Sequence, residues 1–293
     1  MIAIYVLFVV LLHVPAVQHN IASKSAEIIS EKLGTKVEIG GVSLGLLNRV
    51  ILDDVVIEDQ KHHKMMSCHR LSTKISIISL LNGRIDISSA QIFGMNAILT
   101  QADANAPVNC QFVLDSLASK DTTSHTPLDL HIASLIIRNT NISYDRLDKP
   151  KKPGVFDTHH LSFEKISSHI MLYELTDDSL SVRTKKIAFT EKNSGLSVSR
   201  LSFIANAGKR SARLKDFSLV TKSSDISLDA DLAFRQKVIS KFNISSNLTS
   251  VSTNDIGFFV PQLKKLNKTF FIDADVYGTD KSMDVRRLSI SSS

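Results

Sequence analysis

From Val37 onward the apolar residues of this chain recur at every second position, in short runs separated by Asn, Asp, Ser, Gly and Lys. Val37 with Ile39, Val50 with Leu52, Ile75 with Ile77, Ile85 with Ile87, Ile142 with Tyr144 and Leu161 with Phe163 open the series. Leu180 with Val182, Ile187 with Phe189, Ile226 with Leu228, Leu232 with Phe234, and Ile272, Ala274 and Val276 continue it. A period of two sends alternate side chains to opposite faces of a strand, and the residues between the runs have turn chemistry. The pattern predicts a mainly β chain.

Within it an eight-residue unit recurs: apolar-x-apolar-x-x-apolar-x-apolar. One copy is Val37, Ile39, Val42 and Leu44; a second runs from Val50 to Ile57. Leu130, Ile132, Leu135 and Ile137 form another, followed by Leu196, Val198, Leu201 and Phe203. Ala212, Leu214, Phe217 and Leu219 repeat it, and so do Met283, Val285, Leu288 and Ile290. In a flat strand the two halves would face opposite sides. A bulge at the central pair turns both of its residues outward and returns all four apolar positions to one face. Bulged strands of this kind predict an elongated, curved antiparallel sheet with one apolar side. The unit spacing is irregular, which excludes a solenoid of constant period. Ordinary sandwich strands are the alternative, but no Trp–Cys signature or second set of helices supplies a companion layer.

Ahead of the β region, Pro15 to Leu33 carries apolar residues at three- and four-residue steps: Val17, Ile21, Ala22, Ala26, Ile28, Ile29 and Leu33. Pro15 suits the first turn and Gly34 the C′ position, so residues 15–34 predict an amphipathic helix with its cap. A second short helix is expected at 110–119. Residues 1–14 hold the apolar run Ile2–Leu12, with Ile2, Ile4, Leu7, Phe8 and Leu11 among its lipid-facing candidates. It is shorter than the ~20 residues of a spanning helix, and no basic residue precedes it. We read it as a membrane anchor whose start lies outside the chain as given; a buried helix or the apolar centre of a signal peptide is the alternative. Residues 35–293 form the repetitive β region, expected to continue beyond Ser293. The net charge of +6 over 293 residues is modest and does not by itself imply nucleic acid.

Residues 14–59 resemble the opening of the AsmA-like envelope proteins of the TamB type. The likeness rests on Leu33-Gly34-Thr35, on Val37-Glu38-Ile39-Gly40, and on the Arg49–Asp59 unit. The stretches Leu128–Tyr144 and Asn254–Pro261, and the strand pair ending at Gly278, extend it along the chain. The resemblance implies an N-terminal portion of a longer protein, built like the bridge-like lipid carriers as a U-shaped sheet around an apolar groove. It implies a single-pass anchor in the inner membrane with the bulk in the periplasm. It also implies phospholipid as the cargo, no cofactor, no enzymatic activity, and an outer-membrane barrel partner engaged through a C-terminal region absent here. The groove-lining candidates are the Val37, Leu130, Leu196, Leu214 and Val285 sets named above. A scaffold for the assembly of outer-membrane barrels is the rival reading.

Other chemistry fits less well. Gly41-Val-Ser43-Leu-Gly45 matches a nucleophile elbow, which works only where a strand turns sharply into a helix; the following residues read as strand, so a Ser43 hydrolase is a minor alternative. His62-His63, Cys68-His69 and His159-His160 lack zinc-type spacing, and adjacent strand residues face opposite ways. Cys68 and Cys110 leave disulfide pairing open. The basic clusters at 149–152, 209–215 and 264–265 lack interleaved aromatics for stacking bases.

Overall fold

The computed structural model describes residues 15–45, 49–75, 85–118, 128–129, 133–175, 179–236 and 238–293. The chain divides into two compact units, residues 1–151 and 152–293, each built on a sheet. The anchor candidates Ile2, Ile4, Leu7, Phe8 and Leu11 lie outside the described residues, as do Leu130 and Ile132. No described helix is long and apolar enough to cross a membrane.

In the first unit, helix α1 (Pro15–Leu33) leads into β1 (Val37–Gly45), β2 (Arg49–Glu58), β3 (Lys64–Ile75) and β4 (Ile85–Gln101). After α2 (Gln111–Ala118) come the short β5 (Leu128–Asp129) and β6 (Ser134–Arg146). The sheet order is β1-β2-β3-β4-β6, with β5 beside the start of β4. Helix α1 ends as its sequence suggests. Gly34 takes φ +64°, its amide reaches Glu31 O, and the Thr35 amide reaches Ser30 O. That is a Schellman end, which a residue without Cβ makes without strain.

The expected antiparallel sheet needs one correction. Strands β4 and β6 run parallel, Ser89 beside Ser134 through Gln101 beside Arg146. A parallel neighbour requires a long crossover, and residues 102–133 with α2 supply it.

The eight-residue units break their alternation here without slipping register. Pairing sets Gly40, Asp54, His69, Gly94 and Asn139 side by side across all five strands. Asp54, Gly94 and Asn139 have φ of +51°, +64° and +49°, so three of the five strands on this line, β2, β4 and β6, carry a left-handed residue. Residues three apart across the line then share a face. Ile39 with Val42, Leu52 with Val55, Cys68 with Leu71, and Ile92 with Met95 all join one core. Ala22 and Ala26 of α1 close that core from above, fully buried and 9% exposed. Their small side chains let the helix lie close to the sheet. Ile28, placed on the stripe by its spacing, is instead 65% exposed, because the buried side of α1 is centred on the two alanines.

The second unit is an antiparallel meander of eight strands in sequence order. They are β7 (His160–Leu175), β8 (Ser179–Glu191), β9 (Ser197–Gly208), β10 (Ser211–Thr221), β11 (Asp225–Arg235), β12 (Val238–Ser252), β13 (Thr269–Thr279) and β14 (Met283–Ser292). True bulges occur here. The register shifts between Thr184 and Ile187 on β8, Leu214 and Phe217 on β10, and Ser246 and Thr249 on β12. Helix α3 (Thr253–Ile256) and a 3-10 turn (Pro261–Leu266) follow β12 at one end of the strands.

Candidate functional site

The bulges of the second unit do what the spacing of the units required. On β10, Lys215 and Asp216 form the central pair and Asp216 takes φ +51°. Leu214 and Phe217 thereby return to one face. Cross-strand partners in an antiparallel ladder share a face, so the register assembles rows. Ala205, Leu214, Ala230, Ile244, Val276 and Val285 form one row over six strands. Phe217, Leu228, Ser246, Ala274 and Leu288 form a second. Ile187, Leu201, Leu219 and Ile226 form a third, and Ile272 stands beside Ile290.

Within this unit no other described element lies over these rows. Among the described residues of this unit the only buried apolar side chains are Leu196 and Val198, at 8% and 5% exposure. Ile244, Val285, Leu288 and Ile290 range from 39% to 61%. The result is an apolar sheet face with no second layer. Gly278 leaves room on it for the Phe242 ring, since a methyl group at 278 would collide with that ring.

One end of the face is closed. Phe163 and Phe189, on neighbouring strands, meet edge to face with centroids 5.2 Å apart. Phe156 lies 6.4 Å from Phe163 and 5.0 Å from Phe259. The Phe156 amide donates to Phe258 O, joining the two segments that form the plug. Lys264 stands over the Phe258 ring and donates to Gly154 O, so this lysine is part of the plug.

Buried carboxylates hold the turns at this end. Glu191 is fully buried; it accepts from the amides of Ser162, Asn193 and Ser194 and from the Ser194 hydroxyl. Burial pushes its carboxyl up, but the Ser194 hydroxyl and these amides outweigh that and hold it below its ordinary value. Asp157 is lowered in the same way, burial being overcome by the amides of His159 and Lys152 and by the neighbouring histidines. Asp255 accepts from the hydroxyls of Ser224 and Thr221 in the β10–β11 turn. At the opposite end of these strands a hollow of about 700 Å³ mixes Arg213, Asp231, Asn243 and Tyr277 with Leu232 and Phe242.

The groove candidates of the first unit have a different setting. Val37 and Ile39 are buried in the core that α1 closes, and Val42 packs against it; Leu44 is half-buried in β1. Leu135 and Ile137 are half-buried in β6, whose break in alternation falls at Asn139 rather than between them. The structure therefore gathers Leu201, Phe203, Leu214, Phe217, Leu219, Val285, Leu288 and Ile290 on one uncovered face, buries Leu196 and Val198 at its closed end, and places the Val37 set under a helix. Phe242 and Ile244 belong to that face but were not among the candidates. Their strand, β12, is rich in Ser and Asn, and the Phe242-x-Ile244 alternation was its only signal. Ser43 sits inside β1, paired with Ile51, so no strand-to-helix elbow exists there. Cys68 and Cys110 are both free thiols at the first unit's core, and burial raises the pKa of each. The described residues contain no cluster of His, Cys, Asp and Glu able to hold a metal. No family model, no curated protein and no solved structure matches this chain.

Proposed function

We propose that the uncovered apolar face of the second unit carries the acyl chains of phospholipids, in a membrane-anchored envelope protein of the AsmA/TamB kind. The observation that carries this reading is the set of apolar rows across β9–β14 with no layer over them. Each buried CH₂ is worth ~0.8 kcal/mol, so baring a tail of about 16 carbons to water costs roughly 12 kcal/mol. A continuous apolar track lowers that cost at each point along it, while headgroups stay in water. In this proposal Ile2–Leu12 anchors the chain in the inner membrane and the sheets work in the periplasm, moving lipid toward the outer membrane.

One observation favours a second reading, a scaffold for barrel strands. All ten residues of β14 are exposed, a strand surface that a client chain could engage. Photo-crosslinkers separate the two. Placed at Ile244 and Val285 on the apolar face, they should capture phospholipid; placed at Asp231 and Asn243 on the other face, they should not. Equal capture from both faces, or capture of polypeptide alone, would remove the lipid reading.

A further inference from the structure

We propose that the polar face of β7–β9, on the side opposite the apolar rows, docks on an anionic lipid bilayer. This surface is independent of the acyl-chain reading. The bulges that bring apolar residues together on one side also put two consecutive side chains on the other. On β8 the central pair is Lys185 and Lys186, which lie opposite Ser202 between the Thr184–Phe203 and Ile187–Leu201 pairs. On β9 it is Ser199 and Arg200. Arg183 shares this face, between Met171 and Ile204. Arg183, Lys185, Lys186 and Arg200 are all exposed, and none has an ion pair among the described residues.

The rest of the same face is built differently. On β10–β14 three cations meet acids across the ladder, Arg213 with Asp231 at 2.5 Å, Lys215 with Asp229 at 3.3 Å, and Arg287 with Asp273 at 2.9 Å, while Arg235 and Lys241 stand apart from one another rather than as a consecutive pair. Glu174 stands across from Ser181, diagonal to Arg183, and accepts from the Ser179 hydroxyl, offsetting that one cation; Glu164, farther along β7, is held by Lys192 at 2.8 Å. His169, cross-strand from Lys186, adds no negative charge. Lys185, Lys186 and Arg200 are thus left without a facing acid on two neighbouring strands, β8 and β9, spaced ~4.8 Å apart.

The surroundings favour a bilayer over nucleic acid. The residues interleaved with the cations are Ala188, Ser202 and Ile204, which offer no platform for stacked bases. Tyr173, 56% exposed beside Met171, has the apolar body and polar tip that suit headgroup depth.

The test uses the full chain and sedimentation with two kinds of vesicle, phosphatidylcholine alone and phosphatidylcholine doped with phosphatidylglycerol. Any contribution of the apolar N-terminus is common to both, so the readout is the preference for the anionic vesicle. Replacing Lys185, Lys186 and Arg200 together by Gln should lower that preference roughly a hundredfold, at about fivefold per cation. Replacing Arg235, Lys241 and Lys281 by Gln changes net charge equally and should leave the preference nearly intact. All six residues are exposed, and thermal unfolding of both variants should match the parent. Equal losses in the two variants would reduce the effect to net charge and overturn the surface. So would an unchanged preference in the first variant, or tighter binding of a single-stranded oligonucleotide than of anionic vesicles at the same salt.

Discussion

Glu191 shows how a single side chain holds the closed end of the second unit. It is fully buried at the end of β8, yet four donors surround it: the amides of Ser162, Asn193 and Ser194 and the Ser194 hydroxyl. Hydrogen bonds to a charged acceptor contribute about 1.5–3 kcal/mol each, partly offset by the cost of burying the charge. Because its folded pKa lies below the ordinary value of 4.5, the stabilisation is complete above that pH and fades as pH falls through the folded pKa. Glu191→Gln should therefore cost about 1–3 kcal/mol at neutral pH, with the gap to the parent closing in acid. Denaturant unfolding of both proteins across the pH range measures this, and a gap that stays constant would show that charge is not the cause. Nothing in the sequence singled out Glu191, since a Glu ending an alternating run looks solvated. Only the fold of the Asn193–Gly195 turn brings the donors to it.

The strands were legible as fragments rather than as wholes. Leu180–Val182 and Ile187–Phe189 are two halves of β8, and Ile226–Leu228 and Leu232–Phe234 are two halves of β11. On β8 one extra residue interrupts the alternation, and on β11 the small Ala230 between two aspartates hides it, so each looks like two short strands until cross-strand pairing shows that the chain runs on. The eight-residue unit foretold this on β10, where the bulge falls at its central pair. It did not foretell the line of left-handed residues across the first sheet, which depends on the register of five strands at once. That line makes a test at the level of the strand. Gly94 has φ +64°, and a Cβ there would lie 3.1 Å from that of His69. Gly94→Ala should destabilise the first unit by about 1–2 kcal/mol. Gly41→Ala, whose nearest neighbour would be the Asp53 Cβ at 4.0 Å, should be neutral or stabilise by up to about 0.5 kcal/mol. Equal effects at the two glycines in thermal unfolding would mean that the left-handed line carries no strain penalty.

Taken whole, the chain presents the same apolar pattern in two settings. In the first unit a helix with two buried alanines covers it; in the second the rows stand half exposed. Composition could not separate these cases, because the units read alike and only packing shows which face acquires a lid. Arginine tells them apart within one protein. Val55 is 6% exposed in the core beneath α1, so Val55→Arg buries an unpaired charge and should cost several kcal/mol. Ile244 is 39% exposed on the uncovered face. There the long side chain can lie along the rows with its head in water, and Ile244→Arg should keep its stability within about 1 kcal/mol of the parent. If acyl chains travel over that face, the charged head stands in their path, and the folded variant should lose the phospholipid that the parent captures. Thermal unfolding and lipid extraction of the same preparations give both readings. An unfolded Ile244→Arg would make the face an ordinary core, and a folded one with undiminished lipid would put the acyl path elsewhere.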